Sequence, residues 1–356
     1  LALMCAPAAA ADADALLLRV PLPPTADGVE RLRALGFDIA GIDRKAGTLD
    51  IVGTEDDRGE LQALGLDVTV ADELGSGDDV IAALSDYWSP TEIDAQIDAW
   101  IATYPTLIRK AQYATTEEGR PVWAVKISDN VSQDENEGVI FFVAQHHARE
   151  VMTPEIGMDI IERLLTGYGS DPEVSGWVDD LEIWVLPNHN PDGASYVFSN
   201  DSNWRKNRHD NGNGTFGVDL NRNYPFRWGA CNGSSGSTSD PTYRGPSPAS
   251  EPETWQGILE LAREHRPTIN LSYHTYSELV IMPYGCDGSY PPERSVFRDL
   301  SSGMATRLVS DTGTYWYEPG TGWEILYAVD GEMTDWFYSE LGSYGMTVEA
   351  NASSQG

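Results

Sequence analysis

The chain is 356 residues long and carries a formal net charge of −33 at pH 7, from 23 basic and 56 acidic side chains. That length suffices for two domains. A surface this negative repels nucleic acid and anionic membranes, so neither is expected as a partner.

Residues 1–11 run from Leu1-Ala2-Leu3-Met4 to Ala8-Ala9-Ala10-Ala11. An apolar run closing on small residues reads as the tail of a secretory signal peptide, cleaved before Asp12, and predicts an extracellular protein. Cys5 falls inside that segment. No other run reaches about 18 apolar residues, so no membrane span is expected. Residues 12–72 predict a small α+β domain in the order βαββαβ. Its signals are a strand over Leu16-Leu17-Leu18-Arg19-Val20, a helix from Val29 stopped by Gly36, and a hairpin turning at Lys45-Ala46-Gly47. A helix from Asp56 closed by Gly65 and a last strand at Val68-Thr69-Val70 complete it. Residues 73–84, with Gly75 and Gly77, read as a polar linker.

Residues 85–356 form the large domain. Ser89-Pro90-Thr91-Glu92 is a capping box with Pro at the first helical position, and Ile93, Ile97, Trp100, Ile101 and Tyr104 continue it at helical spacing. Strand-like runs at 122–127, 139–144, 181–186, 269–273 and 279–282 alternate with helical patterns at 156–165, 253–265 and 296–308. This alternation predicts an α/β fold: a mixed, mostly parallel twisted sheet with helices on both faces. In an exported protein Cys231 and Cys286 could pair, which their positions in the sequence leave open.

The chemistry begins where the apolar run Val139-Ile140-Phe141-Phe142-Val143-Ala144 gives way to His147-Ala148-Arg149-Glu150. Open α/β sheets place ligands at such strand ends. An imidazole and a carboxylate three residues apart can reach one divalent metal, but a catalytic zinc takes three protein ligands, so a third is needed. Three further motifs follow: Asn203-Trp204-Arg205-Lys206-Asn207-Arg208 with Asp219-Leu220-Asn221-Arg222-Asn223-Tyr224, then Ser272-Tyr273-His274-Thr275-Tyr276-Ser277, then Tyr327, Thr334-Asp335-Trp336 and Val348-Glu349.

In type and order these motifs resemble the zinc carboxypeptidases of the metallocarboxypeptidase family that includes the digestive carboxypeptidases A and B. The likeness runs from about Tyr87 to Glu349. It implies one zinc held by His147, Glu150 and His274, with Asp219 fixing the other ring nitrogen of His147. It implies that Asn221 and Arg222 grip the substrate's terminal carboxylate, a task suited to a planar guanidinium. It further implies that Arg208 polarises the scissile carbonyl, that Arg149 lines the approach, that Tyr327 closes over the bound residue, and that Glu349 is the general base. The sequence ends seven residues after Glu349, short of the final helix that the resemblance implies. The small domain stands where the family carries an activation segment, which makes the chain an expected zymogen. His146 and His189 receive no role beyond a structural one.

The expected activity is secreted, monomeric and directed at the C-termini of peptides and proteins. Two rivals share the metal set: an amidohydrolase acting on acylated amino acids or cell-wall peptides, and a silent peptide-binding module. Asn221, Arg222 and Tyr327 favour a free C-terminal carboxylate, and the presence of Glu349 favours catalysis. In the family the residue before the Asp-Trp pair lies at the floor of the specificity pocket. Here it is Thr334, with Glu332 two residues earlier and Asp330 nearby. A small uncharged floor with a carboxylate on the wall predicts release of both apolar and basic residues and rejection of acidic ones.

Overall fold

The computed structural model describes residues 15–74, 84–310, 313 and 315–351, arranged around two sheets. The expected signal remnant and the centre of the expected linker lie outside these residues. In the small domain, strands β1 (Leu16–Pro21), β2 (Asp38–Asp43), β3 (Thr48–Gly53) and β4 (Thr69–Glu73) form an antiparallel sheet in the order β2-β3-β1-β4. Helices Ala26–Ala34 and Glu55–Ala63 complete the βαββαβ pattern. The period of two places Leu16, Leu18 and Val20 among Val29, Leu32 and Leu61 of the helices. Leu17 faces the opposite way and joins Ala40 against Tyr276 of the large domain.

The large domain holds eight strands: β5 (Ile108–Thr115), β6 (Pro121–Ile127), β7 (Gly138–Val143), β8 (Leu181–Leu186), β9 (Ile269–Thr275), β10 (Leu279–Met282), β11 (Glu318–Thr321) and β12 (Tyr344–Ala350). Their order is β11-β10-β12-β9-β7-β8-β6-β5. The pairs β7/β8, β7/β9, β9/β12 and β10/β11 are parallel and the remaining three are antiparallel, as expected for a mixed sheet. Alternation along β8 sends Ile183 and Val185 into one core and Trp184 and Leu186 into the other. Helices Pro90–Thr103, Met152–Gly167 and Pro172–Asp180 cover the first face. The second is covered by helix Met333–Leu341 and by the helical run Pro252–Thr254, Trp255–Glu260 and Leu261–His265, which passes through a π turn.

Strands β5, β11 and β12 fall outside the five expected strand runs, and one expected run is longer in the fold. Strand β5 was not foreseen because it is an edge strand with polar residues such as Arg109, Lys110 and Gln112, so it lacks an apolar signature. The 269–273 strand continues to Thr275, so His274 lies within β9 rather than after it. Among the described residues no helix is long and apolar enough to cross a membrane.

Candidate active site

Parallel neighbours β7, β9 and β12 finish on the same edge of the sheet, and that edge carries the three expected ligands. His147 and Glu150 lie just beyond β7, and β9 aligns His274 directly with Glu349 of β12. One ligand atom from each of His147, Glu150 and His274 falls within a 4.8 Å cluster, and all three residues are buried. His147 Nδ1 lies 2.5 Å from Glu150 Oε1, His274 Nδ1 lies 3.0 Å from Glu150 Oε2, and the two Nδ1 atoms face each other at 3.1 Å. Glu150 Oε2 is buried without a hydrogen-bond partner, despite that neighbour. Two facing ring nitrogens and an unsatisfied carboxylate oxygen fit a divalent cation between them. Burial alone would raise the Glu150 pKa, but His147 and His274 outweigh it and hold the carboxyl well below the usual range. A second compact cluster, Asp134, Glu182 and His265, already has a cation: Lys126 Nζ lies 3.1 Å from Asp134 and 2.8 Å from Glu182.

Asp219 organises the next layer. It caps the turn Leu220–Arg222, where Oδ1 accepts from the Asn221 N–H at 3.0 Å. The same oxygen lies 3.2 Å from His147 Nε2, so a His147 bound to metal through Nδ1 donates its Nε2–H here. Oδ2 accepts from Arg205 Nε at 3.1 Å and Nη2 at 2.9 Å. Burial opposes ionisation of Asp219, yet Arg205 and His147 keep its pKa well below normal.

Arg205, rather than the expected Arg208, is the arginine that bonds Asp219, the carboxylate beside His147. The Arg208 guanidinium stacks 3.8 Å from the Tyr196 ring centre, 4.5 Å from Trp204 and 4.8 Å from Phe216. Both arginines line one cavity of about 470 Å³. Only Arg205 reaches the carboxylate that holds His147. The two arginines stand three residues apart in a loop, where no periodicity reveals which one faces inward.

Asn221 and Arg222, the expected carboxylate clamp, follow Asp219 in the same turn. Asn221 Oδ1 accepts from the Met333 N–H at 3.0 Å, which fixes its amide. Arg222 Nε donates to the Gly233 carbonyl at 3.0 Å and Nη1 to the Asn221 carbonyl at 2.9 Å, so the buried guanidinium is set in place before any ligand arrives. Glu349 is half-buried in β12. Burial of its carboxyl and the charge of Glu150 push its pKa well above the usual carboxylate value.

Thr334 is buried in the first turn of helix Met333–Leu341. Glu332 is buried just before it, and a Cβ on Gly285 would lie 2.2 Å from Glu332 Oε1, so the carboxyl needs a glycine there. Burial pushes the Glu332 pKa up, against the pull of Arg222. Its neighbour Asp335 is likewise pushed up by burial and by Glu332, although it accepts the Gly285 N–H at 3.1 Å. Asp330 is committed elsewhere: it accepts from the Cys231 and Gly233 N–H groups, each at 3.0 Å, and from the Ser234 hydroxyl. Cys231 and Cys286 are disulfide-bonded, with Cα atoms 5.8 Å apart.

The small domain meets this cleft directly. Asp38 forms a two-pronged ion pair with Arg149, one bond measuring 3.0 Å. Glu30 Oε1 accepts from the Ala328 N–H at 2.5 Å, next to Tyr327. Tyr327 and Val329 are built into the small domain's own apolar core. Asp50 accepts from the Tyr276 hydroxyl at 2.9 Å, and the absence of a side chain at Gly41 leaves room for the Tyr276 ring, since a Cβ there would lie 2.4 Å from it.

Comparison with known proteins agrees with this geometry. The family model described as zinc carboxypeptidase matches residues 93–355. A zinc carboxypeptidase of Saccharothrix mutabilis subsp. capreolus is 31% identical over 316 residues, covering 83% of this chain and 69% of that protein. Carboxypeptidase A1 of Rattus norvegicus is 32% identical over 265 residues, covering 74% of this chain and 62% of that protein. The crystal structure of carboxypeptidase A from Helicoverpa armigera superposes with a TM-score of 0.84 at 23% identity, over 96% of this chain and 89% of that one, a likeness of fold. With the family's metal ligands gathered at one sheet edge and its sequence model matched across the large domain, this chain belongs to the zinc carboxypeptidase family.

Proposed function

We propose that the chain hydrolyses the C-terminal peptide bond of peptides and proteins as a secreted, monomeric enzyme with one zinc held by His147, Glu150 and His274. The observation that carries this reading is the turn Asp219–Arg222: Asp219 orients His147, while Asn221 and Arg222 stand two and three residues on. A free carboxylate gripped at Arg222 is thereby held at a set distance from the metal ligands, which selects chain ends. Zinc bound there supplies a Lewis acid that acidifies water and polarises the scissile carbonyl. Glu349, a carboxyl whose proton affinity is raised, takes the proton of the attacking water and passes it to the leaving amine. Arg205, held by Asp219 through Nε and Nη2, offers Nη1 to the developing oxyanion in place of the expected Arg208. Tyr327 closes over the bound residue, and Arg149 guides the chain upstream.

Release of the terminal amino acid from a blocked dipeptide, measured before and after chelation and again after zinc is restored, tests this reading. Activity that falls with chelator and returns with zinc supports it. Undiminished activity in metal-free protein contradicts it.

Two finer parts belong to the same proposal. The small domain is an inhibitory pro-segment, because Asp38 occupies Arg149 and its core holds Tyr327. The pocket releases apolar residues over Thr334 and basic residues against Glu332, and disfavours acidic ones, which would meet Glu332 and Asp335.

A further inference from the structure

The two histidine ligands are held in unlike ways. Metal coordination through Nδ1 leaves Nε2–H on each ring. For His147 that proton meets the Asp219 carboxylate. For His274 it meets a neutral hydroxyl: Nε2 lies 3.0 Å from Ser272 Oγ. Asn221 Nδ2, at 3.5 Å, is itself a donor and cannot accept it. Ser272 is fully buried, and its own proton has His146 Nδ1 at 3.4 Å as acceptor. His146 Nε2 then donates to the Tyr224 hydroxyl oxygen at 2.8 Å. The proton positions form one consistent series, from His274 through Ser272 and His146 to Tyr224. The His146 ring also lies nearly parallel to the His274 ring, 5.5 Å away at an 18° interplanar angle.

We propose that His146 is a positioning residue for the metal. Through Ser272 it fixes the Nε2–H tautomer and ring orientation of His274. Through Tyr224 it ties that ligand to the segment bearing Asn221 and Arg222. The inference rests on His274 binding metal through Nδ1, and it concerns the strength and geometry of that bond rather than any step of the reaction.

The test uses the full chain and three variants: Ser272→Ala, His146→Phe and His146→Asn. The zinc dissociation constant is measured by chelator competition, and the visible absorption of the cobalt-substituted protein reports ligand geometry. Removing such an outer partner weakens metal binding by about 10- to 100-fold. Ser272→Ala and His146→Phe should each show that loss with shifted cobalt bands. His146→Asn places an amide oxygen near the lost Nδ1 and should recover most of both. If His146→Phe fails to fold, Ser272→Ala with His146→Asn still decides. Zinc binding within about twofold of the parent in Ser272→Ala, with an unchanged cobalt spectrum, overturns the proposal. So does an Asn variant that folds yet loses zinc as severely as Ser272→Ala. Zinc binding by the parent chain, independent of these variants, keeps this result separate from the broader functional reading.

Discussion

The two ends of the cleft treat buried carboxyls in opposite ways. At the metal end, Asp219 sits between Arg205 and His147 and Glu150 between His147 and His274, and both stay ionised despite burial. At the pocket end, Glu332 and Asp335 are buried beside each other, with Arg222 partly compensating Glu332 and Arg227 partly compensating Asp335, and both are driven toward the protonated form. Glu349 stands between the ends and is raised by burial and by Glu150. Where cations are built in, carboxylates hold a structure together. Where they are lacking, carboxyls remain available to a proton or an incoming positive side chain.

The largest expected effect lies on Glu349. Glu349→Gln should retain the zinc of the parent while kcat falls by about 10³ or more. An unchanged kcat would remove Glu349 from its role. The contrast between the two arginines comes next: Arg205→Met should lower kcat by about 10² to 10³, the usual range for a lost oxyanion donor. Arg208→Met should do much less. The reverse order would restore Arg208 to the position that family resemblance gives it.

Cutting the chain between Gly75 and Asp79 should raise peptidase activity, and Asp38→Asn in the uncut chain should raise it partly by freeing Arg149. An uncut chain already as active as the cut one would mean that the small domain does not inhibit.

The smallest effect concerns the pocket. Because the Glu332 pKa is raised to about 7, the carboxyl is mostly neutral below that pH and charged above it. The kcat/KM ratio of an Arg-ended to a Phe-ended blocked dipeptide should therefore rise as pH passes upward through that value. In Glu332→Gln the rise should vanish, with a loss of about 10- to 100-fold on the Arg substrate, the worth of a charge-assisted hydrogen bond. A ratio that is flat with pH in the parent would place the charge-reading group elsewhere.

What the sequence disclosed follows the same division. His147, Glu150, His274 and Glu349 all lie in or beside strands whose apolar runs are visible, so their meeting at one edge could be anticipated. Asp219, Asn221 and Arg222 stood in one readable motif, and they do share one turn. Arg205 and Arg208 lie in the long connection after helix Pro191–Val197, which has little regular structure and hence no period to show direction. The Asp38–Arg149 pair joins residues 111 positions apart across two domains, and nothing local marks Asp38. Asp330 looked like a pocket acid until the loop at Cys231–Ser234 claimed both its oxygens. His146 resembled an ordinary core histidine because its significance depends on Ser272 and Tyr224, both distant in sequence.

The proposed activity requires that the metal ligands and the carboxylate clamp act together on a chain end. Its most direct test compares two blocked dipeptides differing only at the terminus, one a free acid and the other its amide, with the zinc-loaded protein cut between the domains. Hydrolysis of the acid and a loss of about 10² or more in kcat/KM for the amide are expected, since Arg222 loses its charged partner. Equal rates on the two would contradict it and favour an amidohydrolase that ignores the chain end.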